Sequence, residues 1–199
     1  MNTRIEREFA FQAAVYFEGD FIMNMYELLL SMEVETDSIK EQNIAMDRIE
    51  YFLSDCVANS VFVESTEKRI IEKYSIADIK VCTLPEEPYD QIITILLLQK
   101  LNAIAEGRLS ITDIVLKSQL SDGVKFIYNV EEANLHPFGK GWWSEANTHI
   151  ADIPKSNRKD KIVKLVKASD CWSIPNLEWE EKHSNTAKIL FTTDPDKQP

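Results

Sequence analysis

Apolar residues in the first third of the chain recur at helical spacing. Phe21, Ile22, Met25, Leu28, Leu29 and Met32 fall on one stripe of a 3.6-residue period, which predicts a helix with Asp20 as its N-cap. Gly19 suits the end of a preceding helix over residues 4–18, so the two read as a helical hairpin. A third helix is announced by Ser38 and Glu41 at capping-box spacing. Its apolar stripe runs through Ile39, Met46, Ile49, Phe52, Leu53, Cys56 and Val57, with Lys40, Asp47, Arg48 and Glu50 left to water.

Beyond residue 58 the period changes. Val61-Phe62-Val63 is short and β-rich and reads as a strand, Thr66 caps a short helix to residue 74, and residues 79–84 read as a second strand. Pro85 and Pro88 end that strand and open the strongest element, a helix over residues 89–106 closed by Gly107. It is apolar almost all round its middle, as expected of a helix buried on two sides. Residues 109–116 and 124–130 then read as strands joined through Ser121-Asp122-Gly123. The sum is an α+β fold in which N-terminal helices pack on a small mixed β-sheet, with an irregular aromatic-rich C-terminal part. Residues 1–58 form the helical part and residues 59–135 a β-α-β-α-β-β core. Residues 136–191 form the irregular part of the same domain, and residues 192–199 a frayed tail.

Composition narrows the class without naming a function. The 199 residues carry 22 basic and 33 acidic side chains and are 44% apolar, which excludes a disordered chain, a collagen and a disulfide scaffold. The apolar run around Leu96-Leu97-Leu98 falls far short of the ~20 residues of a membrane span. Cys56, Cys82 and Cys171 are odd in number and lack C-x-x-C spacing, as expected of reduced thiols. The charged start at Arg4-Ile5-Glu6-Arg7 does not read as a signal peptide, so a cytoplasmic protein is expected.

Recognisable catalytic chemistry is missing. Of five glycines only Gly139 and Gly141 lie close together, without the third glycine of a dinucleotide turn or the Lys-Ser/Thr of a phosphate loop. No G-x-S-x-G, H-E-x-x-H or EF-hand pattern occurs. Glu180 and His183 show E-x-x-H spacing, but a di-iron bundle needs a second such pair, so they read as a solvated acidic segment. Asp113 interrupts an apolar strand, and strict alternation puts it on the face of Ile111 and Val115, so it sits either on a core face with a partner or, the favoured reading, at an edge or rim of the sheet. One carboxylate does not make an acid–base pair, so the catalytic residues stay unknown and neither cofactor nor metal is expected.

Two segments concentrate binding chemistry. Lys155, Arg158, Lys159, Lys161, Lys164 and Lys167 stand against the single acid Asp160, and on a helical wheel Ile162, Val163, Leu165 and Val166 separate from the lysines. Such a row can meet phosphates, or it can complement the acidic remainder of the chain. The second segment, residues 136–143, holds His136, Lys140, Trp142 and Trp143 around two glycines. There a cation, an imidazole and stacking rings can border a ligand, with one indole anchoring the loop and the other facing outward, or the loop can be pinned by its own tryptophans folding onto the body. The leading expectation is a non-enzymatic interaction or scaffold protein, with a protein partner or self-association. The alternative is binding of nucleic acid or another polyanion through residues 136–167; no membrane partner is expected.

Overall fold

The computed structural model describes residues 3–146, apart from 78 and 137. Its first two elements correct the expected helical hairpin: strands come first. β1 (Arg4–Phe17) and β2 (Asp20–Val34) pair antiparallel without interruption from Arg4 opposite Glu33 to Phe17 opposite Asp20. The two residues between them, Glu18 and Gly19, have φ of 50° and 93°. That is the geometry of a type I′ hairpin turn, whose twist matches paired strands, so Gly19 serves a hairpin instead of ending a helix.

Alternation explains why strands win. In β1 Phe11, Ala13 and Val15 point inward while Glu6, Glu8, Ala10 and Gln12 are exposed. In β2 Tyr26, Leu28, Leu30 and Met32 are buried while Met23, Met25 and Glu27 face out. A helix over the same residues would carry Tyr26 and Leu30 off the stripe of Met25, Leu28, Leu29 and Met32 and expose them. The hairpin keeps both in the core, where Tyr26 stacks on Phe11 at 5.0 Å between ring centroids and meets Phe62 edge-on at 6.0 Å.

The hairpin is the centre of a six-stranded mixed sheet in the order β4-β3-β1-β2-β5-β6. β3 (Val61–Glu64) runs parallel to β1, and β4 (Val81–Leu84) parallel to β3. On the other side β5 (Leu109–Ser118) and β6 (Lys125–Asn129) continue antiparallel. Helices α1 (Ile39–Tyr51) and α3 (Asp90–Ala105) bury their apolar residues against the inner face of the sheet. The short α2 (Lys68–Ile76) covers the opposite face only around Ala14, Val61, Val63 and Val81. The described part is therefore α+β, but not as N-terminal helices on a small sheet. No helix among the described residues is long and apolar enough to cross a membrane.

Several local signals act as the sequence implies. The Ser38 hydroxyl accepts the Glu41 backbone N–H and starts α1. At its far end the helix widens into a π-helical turn, Phe52–Val57, that buries Phe52, Leu53 and Val57, whereas Ile39 stays 75% exposed outside the expected stripe. α3 is buried from Ile92 to Leu98 without a polar face and ends where Glu106 and Gly107 take φ of 50° and 73°. Asn102 then fastens α3 to β5, giving N–H groups to the carbonyls of Leu98 and Ile111 and accepting the Ile111 N–H at 2.9 Å.

Asp113 is also corrected. Its strand lies inside the sheet, between β2 and β6, and the pairing with β2 slips between Ser31 and Met32 so that Thr112 is an extra residue. The bulge flips the alternation: Leu109 and Ile111 point inward before it, Ile114 and Leu116 after it. Asp113 is thereby turned to the outer face, where it pairs with Arg4 at 3.5 Å and accepts the Thr112 hydroxyl.

Candidate functional site

The loop singled out in the sequence begins after a five-residue helix, α4 (Val130–Asn134), whose capping box is made by Asn129 and Glu132. His136 is half-buried, stacked on Phe138 at 5.7 Å and edge-on to Tyr128 at 6.2 Å. Lys140 is exposed. Trp142 and Trp143 sit in a 3₁₀ turn, Trp142–Ser144, and only 3% and 7% of their surfaces reach solvent. The expected division of work, one ring buried and one outward, is therefore corrected: both rings are anchors.

Hydrogen bonding and space explain this arrangement. Burying an indole strands its N–H unless an acceptor is found, and each ring finds one. Trp142 Nε1 donates to the Thr83 carbonyl on β4 at 2.8 Å, and Trp143 Nε1 to the Gly139 carbonyl at 3.3 Å. Trp142 lies 6.3 Å from Phe52 of the π-helical turn, so the loop closes over the seam between that turn, β4 and α3. Gly139 takes φ of 72°, and Gly141 leaves the room that the Trp143 ring occupies.

Beneath this plug lies Lys100, which in the sequence is only the polar end of an apolar run. It is fully buried; Nζ donates to the Glu145 carbonyl at 2.7 Å and stands 5.6 Å from the Phe52 ring centroid. Burial pushes its amine down to about 8, against the opposing influence of Glu145 and the thiols of Cys56 and Cys82. The same burial pushes the Cys56 thiol up to about 11 and Cys82 well above its ordinary value. These thiols are thus held neutral and weakly nucleophilic.

On the outer side of the same helix a cavity of about 340 Å³ opens between α3, α4 and the tryptophan turn. Gln99, Asn102 and Ala103 line it from α3, Asn134 from α4, and Trp143 and Ser144 from the turn. Leu98, Val130 and Ala133 complete the lining, and among the described residues no charged side chain borders it. The loop of residues 136–143 thus reaches a cavity through Trp143, whereas His136, Lys140 and Trp142 do not line it.

The other unusual surface is the outer face of β2, β5 and β6. Phe21, Met23 and Met25 are 47%, 47% and 46% exposed and Ile127 61%. Leu29, Val115 and Ile127 stand opposite one another across three strands. Glu27, Lys117 and Lys125 form the neighbouring row, with an ion pair of 3.3 Å between the first two. Helical spacing hides this surface, because it assigns Met25 and Leu29 to a core stripe. A period of two shows them facing away from Tyr26 and Leu30.

Of the sequence-derived basic set, Lys155, Arg158, Lys159, Lys161, Lys164 and Lys167 lie outside the described residues, as do Glu180 and His183. Among the described residues no group of three or more His, Cys, Asp or Glu is placed to hold a metal ion.

No family model and no curated protein matches the chain. Among solved structures it is similar to an uncharacterized protein from Wolinella succinogenes, at 8% identity and a TM-score of 0.48, over 65% of this chain and 99% of that one. A 6-pyruvoyltetrahydropterin synthase from Plasmodium vivax matches at 11% identity and a TM-score of 0.41, over 65% and 99% of the two chains. The Caenorhabditis elegans 6-pyruvoyl tetrahydropterin synthase matches at 13% and 0.39, over 65% and 96%. All three scores lie below 0.5.

Proposed function

We propose that this protein works through protein contacts, as an interaction or scaffold protein, and that its open sheet face takes a second copy of the same chain. The observation that carries the reading is the exposure of Met23, Met25 and Ile127 on one side of a regular sheet. Exposed and half-buried apolar side chains are costly in water, and here they flank the charged row on both sides, Met23 and Met25 on one and Leu29, Val115 and Ile127 on the other. The net charge of −11 opposes association of two copies in general, so a contact between them needs a face of locally mixed charge. The row Glu27, Lys117, Lys125 mixes both signs, and a two-fold arrangement sets Glu27 of one copy against Lys125 of the other.

The test is the solution mass of the full chain across a concentration series, by sedimentation or light scattering. The parent should pass from monomer to dimer, and Met25→Lys with Ile127→Lys should stay monomeric with an unchanged circular dichroism spectrum. A parent that stays monomeric throughout, or a double variant that dimerises like the parent, refutes the proposal.

Polyanion binding through residues 136–167 is a second proposal, supported by the six basic residues of 155–167 in an otherwise acidic chain. Affinity for heparin or single-stranded nucleic acid would then fall steeply with added salt, since each phosphate contact releases counterions. A cytoplasmic location belongs to the same reading and is supported by the free thiols of Cys56 and Cys82.

A further inference from the structure

We propose that the cavity between α3, α4 and the Trp142–Ser144 turn is a binding site for a small, flat, uncharged molecule with a lactam edge, meaning a ring carbonyl beside a ring N–H. Its volume of about 340 Å³ fits a single ring or a compact bicycle. Among the described residues the lining carries no charged side chain, which selects against ions: a carboxylate entering it meets no cation there. An ammonium ion would leave water for a lining without a carboxylate, and desolvating an unpaired charge is costly.

The polar groups present specify the edge. Asn102 is committed to Leu98 and Ile111, and the Ser144 hydroxyl to the backbone of Gly141. Gln99 differs: its Nε2 gives one N–H to the Ala133 carbonyl at 3.0 Å. A side-chain amide has a second N–H and a carbonyl oxygen side by side. A lactam complements that pair with two parallel hydrogen bonds, its carbonyl accepting from Nε2 and its N–H donating to Oε1. Trp143 supplies an aromatic wall whose position is fixed by Gly141 and by the bond to the Gly139 carbonyl. Because α3 is held on both sides, Gln99 projects from a rigid support and little ordering is needed on binding.

The experiment uses 2-pyridone as probe, with benzoate and benzylamine as charged rings of similar size, titrated into the full chain and read by ligand-observed NMR and tryptophan fluorescence. Saturable millimolar binding of 2-pyridone is expected, with neither charged ring competing. Gln99→Leu should weaken it by about ten-fold, the loss of a bidentate polar contact. Ala103→Leu should abolish it by filling the cavity. Both variants are checked for an unchanged thermal transition; if Ala103→Leu shifts the transition, Gln99→Leu alone decides. Absence of saturation, equal binding of benzoate or benzylamine, or full affinity in Gln99→Leu each overturns the proposal. None of these outcomes depends on whether the sheet face dimerises.

Discussion

Gly141 lies directly against the indole of Trp143. A methyl group on its α-carbon would stand 2.6 Å from Cζ2 and closer still to Cη2 and Cζ3 of the ring. The backbone of Gly141 is extended, with φ of −162°, so the glycine is required for space and not for conformation.

Gly141→Ala should therefore drive the Trp143 ring out of its seat. Overpacking of this kind costs about 1 to 3 kcal/mol. The measurement is a denaturant titration together with acrylamide quenching of tryptophan fluorescence. The quenchable fraction should rise in Gly141→Ala, and an unchanged fraction with unchanged stability would mean that the ring is not held where the structure puts it.

Lys100 predicts a pH dependence of stability. Its amine titrates at about 8 in the folded protein against 10.5 ordinarily, because burial disfavours the ammonium form. Between those values the unfolded chain binds more protons than the folded one, so stability rises with pH through this window. Cys56 and Cys82 work in the opposite sense from about pH 8 upward, because ordinary thiols ionise near 9 while burial holds these two neutral in the folded protein. The contribution of Lys100 is therefore a difference between two chains: from pH 7 to 9 the parent should gain stability relative to Lys100→Met. At pH 7 the variant should be the more stable of the two, since the buried ammonium is gone, but by less than the shift of its amine alone implies, because the hydrogen bond to the Glu145 carbonyl goes with it. Urea titrations of both chains at pH 7, 8 and 9 check both statements, and a parent-to-variant difference that does not change with pH assigns the slope to another group.

Acid should act through Glu106. It accepts from Arg48, which is 1% exposed, and from Arg108, each at 2.6 Å, while Arg108 also reaches Glu41. Burial alone would raise the Glu106 carboxyl; the hydrogen bonds of Arg108 and Arg48 override it and hold the carboxyl below its ordinary 4.5. The stability it contributes is present above that value and is lost as pH falls through the lower folded one. Glu106→Gln should cost about 1.5 to 3 kcal/mol at neutral pH, the range for hydrogen bonds to charged groups, because the buried Arg48 guanidinium then faces a neutral acceptor, and should flatten the acid limb of the stability curve. An acid limb identical to the parent's would place the acid sensitivity elsewhere.

Local chemistry is legible wherever a backbone preference and the burial pattern agree. Ser38 at the start of α1, the β-rich Val61-Phe62-Val63, the uniformly apolar α3 and the Gly107 and Gly123 stops need no tertiary information. The hairpin imitates a helix because β2 carries large apolar side chains on both faces. Leu28, Leu30 and Met32 are buried, and Phe21, Met23 and Met25 are exposed on the other side, so helical spacing can be picked out of an almost uninterrupted apolar run. In β1 the strand signal is present in the alternation of Ile5, Phe9 and Phe11 with Glu6, Glu8 and Ala10.

What the sequence by itself determined was the set of short-range instructions: caps, turn residues, apolar content, and the placement of all four tryptophans after residue 135. What the tertiary structure alone decided was which surfaces those instructions leave open. The bulge at Thr112 turns Asp113 outward, the seam of β4, α3 and the π-helical turn draws in both tryptophans, and α2 covers one end of the outer sheet face while leaving Met23, Met25 and Ile127 in water. The physical reason is that burial is a property of pairs of elements. A side chain's own chemistry states a preference for leaving water, but only the arrival of a second, distant element determines whether that preference is met.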